Sequence, residues 1–203
     1  MATYRGRKTD ICRAVGFDIW GRPQSKKSRN RLYPTGQHGP NMEQRRRSEY
    51  GDQLLAKQVI RRYYNLLEKQ FANTFTKAQR MSGNTSLNFL RLLELRLSTA
   101  VWRLGYARTI FQARQLVSHG HVTVNGRMVN ISSFLLKIGD VVAVRDREVS
   151  RKIARENAYE GAAVPAYMEA DVPQFAGKII SLPEREDFPS FFQEQQVVEF
   201  YAR

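Results

Sequence analysis

The sequence predicts an α+β fold: an irregular, basic leading segment, a run of helices, and a compact helix–turn–helix module that closes into a small antiparallel β-sheet. Three observations predict it. Residues 1–47 are rich in Gly, Pro, Ser, Asn and Arg and poor in apolar positions, so they offer little with which to build a core. From Ser48 to Leu104 apolar residues recur at spacings of three and four, the period of a helix with one buried face. Beyond Gly120 the period becomes two, around an Asn125-Gly126 pair; that pair favours a tight hairpin because both central residues of a type I′ turn need positive φ.

The elements follow in order. Ser48 is placed to cap a first helix with Leu55, Val59, Tyr63 and Leu66 on one stripe. A second helix carries Phe71, Phe75 and Ala78 and is expected to stop at Gly83. Asn84-Thr85-Ser86 caps a third, whose stripe of Leu87, Leu90, Leu93, Leu97, Val101 and Leu104 predicts one continuous helix ending at Gly105. Thr109 and Gln112 read as a capping box for a short helix to Ser118, with Ile110, Ala113 and Val117 inward and Gly120 as the stop. Strands are expected at 122–124, 127–129 and 141–144, the last after a Gly139-Asp140 turn. Residues 150–163 read as weakly helical, and short strands are expected around Tyr167 and Ile179-Ile180. Residues 194–201 fit a helix or a strand.

Composition bounds the function. The 203 residues carry 33 Lys and Arg against 19 Asp and Glu, a net charge of +14. Residues 1–50 hold twelve basic and four acidic side chains, whereas residues 151–203 hold six basic and nine acidic. A basic front suits a polyanionic partner, and its arginines present planar forks that meet phosphate and stack on bases. Tyr4, Phe17, Trp20 and Tyr33 are interleaved among them; they pack locally or stack on bases. A single cysteine excludes an internal disulfide framework and a zinc site of paired thiolates. No apolar run reaches membrane-spanning length, and the basic N-terminus lacks the apolar stretch of a secretory signal. A cytoplasmic location without membrane contact is the expectation.

Three constellations could carry chemistry. Arg96 and Arg103, seven apart on the predicted long helix, share a face, with Arg114 on the next helix and His119, His121, Asn125 and Arg127 on the hairpin. These donors follow an RNA backbone or are solvated outward positions; the +14 charge favours the former. The loop Tyr33-Pro34-Thr35-Gly36-Gln37-His38-Gly39-Pro40 has glycines that let amides approach a phosphate, but no Gly-Lys-Ser/Thr follows. His119 and His121 with Asp140 could act as acid and base in a nuclease, but no nucleophile elbow or metalloprotease motif accompanies them. The reading is therefore non-enzymatic.

The segment Gln112-Ala113-Arg114-Gln115-Leu116-Val117 followed by His119-Gly120-His121-Val122-Thr123-Val124-Asn125-Gly126-Arg127 resembles the S-four RNA-binding domain. Tyr33 to Gly39, Glu94-Leu95-Arg96-Leu97, Pro183-Glu184-Arg185-Glu186-Asp187 and Glu199-Phe200-Tyr201-Ala202-Arg203 extend the resemblance, end to end, to the bacterial small-subunit ribosomal protein S-four family. The resemblance implies a basic N-terminal arm (1–47), an all-helical domain (48–86 with 187–203) and an inserted S-four module with its sheet (87–186). It implies binding to the multi-helix junction in the 5′ domain of 16S-type small-subunit ribosomal RNA, nucleation of subunit-body assembly and a contribution to translational accuracy. The implied neighbours are small-subunit protein five and the region where mRNA enters; no homo-oligomer is expected. The rival, an RNA-modifying enzyme or a tRNA- or mRNA-handling factor built on the same module, would need a catalytic domain.

Many relatives hold a zinc ion on four N-terminal cysteines; here Cys12 stands alone with Thr9 before it, so no zinc or other cofactor is expected. Ile110-Phe111 replace a basic pair frequent in relatives, with Arg108 as the substitute, and Tyr167 stands where a Trp is common. The residues expected to bind RNA are Arg5, Arg7, Lys8, Arg29, Arg31, His38, Arg45, Arg46 and Arg47 in the arm, then Arg96, Arg103, Arg114, His119, His121, Asn125 and Arg127 in the module. Glu184, Glu186 and Asp187 are the expected contact with a neighbouring basic protein.

Overall fold

The computed structural model describes residues 4, 6–20, 33–41, 48–157, 164–171 and 173–202. The chain divides into two units: residues 1–73 with 191–203, and residues 74–190.

In the first unit, α1 (Lys8–Val15) is a short helix inside the segment expected to be irregular. It forms because Cys12 and, just beyond it, Ile19 find buried positions. The helix ends at Gly16, φ 95°, whose N–H donates back to the Cys12 carbonyl. Helix α2 (Glu49–Tyr63) starts where Ser48 Oγ accepts from the Gly51 N–H at 3.3 Å. It packs along α8 (Glu194–Ala202), which resolves the helix-or-strand ambiguity in favour of helix. Ile60, Tyr63, Tyr64, Phe71, Phe192 and Val197 are buried there. Tyr63 meets Phe191 and Phe192 edge to face at 6.0 and 5.1 Å, a preferred aromatic geometry. Lys57, though buried, keeps its charge paired: Nζ donates to Glu68 Oε1 at 2.7 Å and lies 4.2 Å from the Phe200 ring centre.

The second unit begins within α3 (Glu68–Gln79), which stops four residues short of Gly83. Gly83, φ 96°, lies instead in the turn that delivers Asn84 to its capping position. Asn84 Oδ1 accepts from Ser86 and Leu87 at the start of α4 (Thr85–Glu94). The expected continuous helix from Leu87 to Leu104 is two helices. Helix α4 ends at Glu94 and α5 runs Leu97–Arg103. Between them Arg96 is extended and bridges Leu135; the Leu97 N–H donates to Phe134 O and the Leu136 N–H to Leu95 O, both at 2.8 Å. The leucine spacing persists across the break because Leu93 and Leu97 are both fully buried; periodicity records burial, not the backbone partner.

Helix α6 (Ile110–Ser118) opens on Thr109, whose Oγ1 accepts from the Gln112 N–H at 3.2 Å. The Gln112 side chain accepts from Arg108, one residue earlier than a capping box requires. The strands β1 (Val122–Val124), β2 (Arg127–Met128), β3 (Val141–Val144), β4 (Met168–Asp171) and β5 (Ala176–Ile179) form one antiparallel sheet in the order β2-β1-β3-β5-β4. Asn125 and Gly126 turn the first hairpin at φ 50° and 78°. Helix α7 (Glu148–Asn157) follows β3. One core joins Leu97, Val101 and Leu104 of α5, Ala113 and Val117 of α6, and Val122, Val142 and Ile179 of the sheet. Each fully buried leucine or valine there is worth roughly 1.5–3 kcal/mol of apolar transfer.

Candidate nucleic-acid interface

Antiparallel pairing sets the site. Val122 faces Val144 across β1 and β3, so His121 and Arg145 meet at the strand ends, where the Arg145 N–H donates to His121 O at 2.8 Å. His121 Nδ1 lies 3.0 Å from Ser150 Oγ at the start of α7, and its ring is 6.2 Å from that of His119. Partial burial, then His119, Arg145 and Arg147, push the His121 imidazole below its usual range. Arg145 Nη1 reaches Met128 Sδ on β2. His119 and Arg127 are exposed. Arg145 and Arg147 thus place positive charge beside His119 and His121 at the hairpin. The two arginines were missed from the sequence because they lie more than twenty residues from the histidines; a β1–β3 register drawn from the valine alternation would have found them.

The other module residues divide. Arg103 does not share a face with Arg96, because the helix breaks between them. Its Nε donates to Glu94 Oε2 at 3.2 Å and its Nη2 to Oε1. Glu94 is fully buried and also accepts from the Tyr167 hydroxyl at 3.1 Å. Arg103 is therefore engaged inside the protein, and Tyr167 earns its place through its hydroxyl. Arg96 is only 8% exposed, and no ion pair or hydrogen bond engages its side chain among the described residues. Burial, with Arg114 nearby, pushes its guanidinium down to about 10, so it stays charged at neutral pH. Burial lowers Arg114 as well. Asn125, though exposed, is engaged within its turn: its Nδ2 donates to Asp140 Oδ1 and its Oδ1 accepts from the Val141 N–H, each at 2.9 Å. Asp140 also accepts from the Lys137 N–H at 2.8 Å, so it holds the turn rather than facing the histidines. Arg108 is exposed and donates to Glu156 O at 3.1 Å.

In the other unit Arg7 and His38 are exposed and Lys8 half-buried. The His38 loop is gripped by Arg13, which donates to Tyr33 O at 3.0 Å and Pro34 O at 3.1 Å and stacks on the Tyr33 ring. Gly39 is needed there for space, since a Cβ would sit 2.1 Å from Pro34 O. Cys12 Sγ lies 3.6 Å from Asp18 Oδ1, which also accepts from the Trp20 N–H. Arg5, Arg29, Arg31, Arg45, Arg46 and Arg47 lie outside the described residues. At the acidic turn, Glu184 and Asp187 cap each other around Arg185–Asp187, while Glu186 is exposed.

Residues 3–94 match the ribosomal protein S4/S9 N-terminal domain and residues 95–142 the S4 domain. The small ribosomal subunit protein uS4 of Nostoc punctiforme is 47% identical over 205 residues, covering all of this chain and 99% of its own length. Those of a Geobacillus and a Roseiflexus species are 43% and 42% identical over the full length of both chains. With its fold and both domain matches aligned end to end with such relatives, the chain belongs to the small ribosomal subunit protein uS4 family.

Proposed function

We propose that the protein is a structural, non-catalytic constituent of the small ribosomal subunit. It binds small-subunit ribosomal RNA at the multi-helix junction of the 5′ domain, nucleates assembly of the subunit body and contributes to decoding accuracy. The observation that carries this reading is the cluster at the hairpin, where Arg145 and Arg147 lie beside His119 and His121 and exposed Arg127 flanks them. Arg127 and Arg147 make no ion pair among the described residues, so their charge is available to phosphate. The chemistry is multivalent phosphate contact and recognition of RNA shape rather than reading of base sequence in a groove. Arg5, Arg7, Lys8, Arg29, Arg31, His38 and Arg45 to Arg47 extend the same chemistry along the arm. Exposed Glu186 is the acidic group offered to a basic neighbour such as small-subunit protein five, beside the path of incoming mRNA.

The test is binding of the purified full chain to a 5′-domain ribosomal RNA transcript across a potassium chloride series. With about eight phosphates engaged, the log–log salt slope is near −6. A slope shallower than about −2, or no binding at near-physiological salt, overturns the reading. A stoichiometric core component also stays with small subunits through a high-salt wash, whereas a modifying factor is released.

A further inference from the structure

We propose that Arg96, with Arg114 beside it, is a built seat for a single tetrahedral oxyanion of the phosphate class, a function separate from the arginine and histidine cluster at the hairpin. The inference rests on the RNA-binding reading only for the source of the phosphate.

Arg96 is 8% exposed, and its Nε is sealed from solvent with no hydrogen-bond partner among the described residues. Its Nη groups are not sealed off and make no hydrogen bond among the described residues, so they are the face a ligand meets. The root of the side chain is fixed on both sides. Leu97 N–H and Leu136 N–H bond across the bridge to residues 134 and 95, and Arg96 O accepts from Thr99 and Ala100. No carboxylate pairs with Arg96 among the described residues, and the neighbouring charge is another cation, Arg114. The protein holds a carboxylate nearby in sequence, Glu94, but gives it to Arg103. A buried guanidinium without an anion is costly. A phosphate group removes that cost, because its oxygens match the planar donor fork.

The test uses the full chain without RNA. Thermal unfolding is followed in sodium phosphate and in sodium chloride at matched ionic strength and pH, for wild type, Arg96→Met and Arg80→Met. Phosphate stabilises proteins generally by exclusion from their surfaces; Arg96→Met reports that general part, and Arg80→Met, at an exposed position outside the proposed RNA contacts, controls for the loss of one positive charge. Wild type and Arg80→Met should share an additional, saturable rise in Tm that Arg96→Met lacks. In chloride Arg96→Met should melt at or above wild type, because an unpaired buried charge has become an apolar side chain of similar length. Equal phosphate gains in all three proteins, or collapse of Arg96→Met in chloride, overturn the seat. The RNA arm identifies the source. At least about tenfold weaker transcript binding by Arg96→Met, with a salt slope shallower by about 1, assigns the seat to an RNA backbone phosphate. Unchanged transcript binding with a lost phosphate response assigns it to free phosphate. If wild type ignores the transcript altogether, the RNA-binding reading fails while the melting data still decide the seat.

Discussion

Glu94 is fully buried, and the Arg103 guanidinium and the Tyr167 hydroxyl both donate to it. Removing the cation would strand a buried carboxylate, so Arg103→Met should cost about 3–5 kcal/mol in a urea denaturation series. Arg127→Ala, at an exposed strand position, should leave stability within about 0.5 kcal/mol while making the RNA salt slope shallower by about 1. The two arginines look alike in composition and differ in what surrounds them. His121 gives a prediction in pH. Its imidazole titrates below its usual value, so below the unfolded value of about 6.5 the unfolded chain takes up the proton more readily and stability falls with falling pH. Above that value both states are neutral and the effect vanishes. An RNA phosphate beside the ring reverses the preference, because it favours the charged form. Transcript affinity at constant salt should therefore rise from pH 8 to pH 6, and rise less in His121→Gln. Equal pH dependence in the two proteins would count against phosphate contact at this ring.

At the scale of elements, caps and turns act locally and the sequence discloses them. Ser48, Asn84 and Thr109 each present an oxygen to the first turn of their helix, and each is recognisable from residue type and position alone. Asn84→Ala should lose about 1 kcal/mol by the same denaturation assay. Gly126, at φ 78° in the hairpin turn, should lose about 1–2 kcal/mol on substitution by Ala, because an L side chain is strained there. The break between α4 and α5 was not legible. Leu93, Leu97, Val101 and Leu104 keep helical spacing through it, yet the backbone at Arg96 leaves the helix to bond with residues 134–136. The two termini of the break are satisfied from a segment some forty residues away, and Thr99 Oγ1 adds a hydrogen bond to Leu93 O at 3.1 Å. No local pattern encodes such a partner.

At the scale of the molecule, the chain leaves its first unit through α3 and returns to it with α8. Helix α8 buries Val197 and lies along α2, with Gln53 Nε2 donating to Glu199 Oε2 at 3.1 Å. Truncation after Gln193 should therefore abolish hydrogen-exchange protection in α2 and leave the amides of β1 and β3 protected; loss of both together would mean that the two units open as one. The sequence by itself determined the α+β class, the caps, the hairpin turn, the charge and the family resemblance. Each depends on neighbouring residues, on composition or on motifs that stand together in the chain. Only the tertiary structure decided that α1 forms in the basic arm, that one predicted helix is two, that Arg103 is spent on Glu94 while no carboxylate among the described residues pairs with Arg96, and that Arg145 and Arg147 join the histidines. Those outcomes depend on which distant segment supplies a hydrogen bond, a counter-charge or a strand register, and hydrophobic periodicity carries no record of that choice.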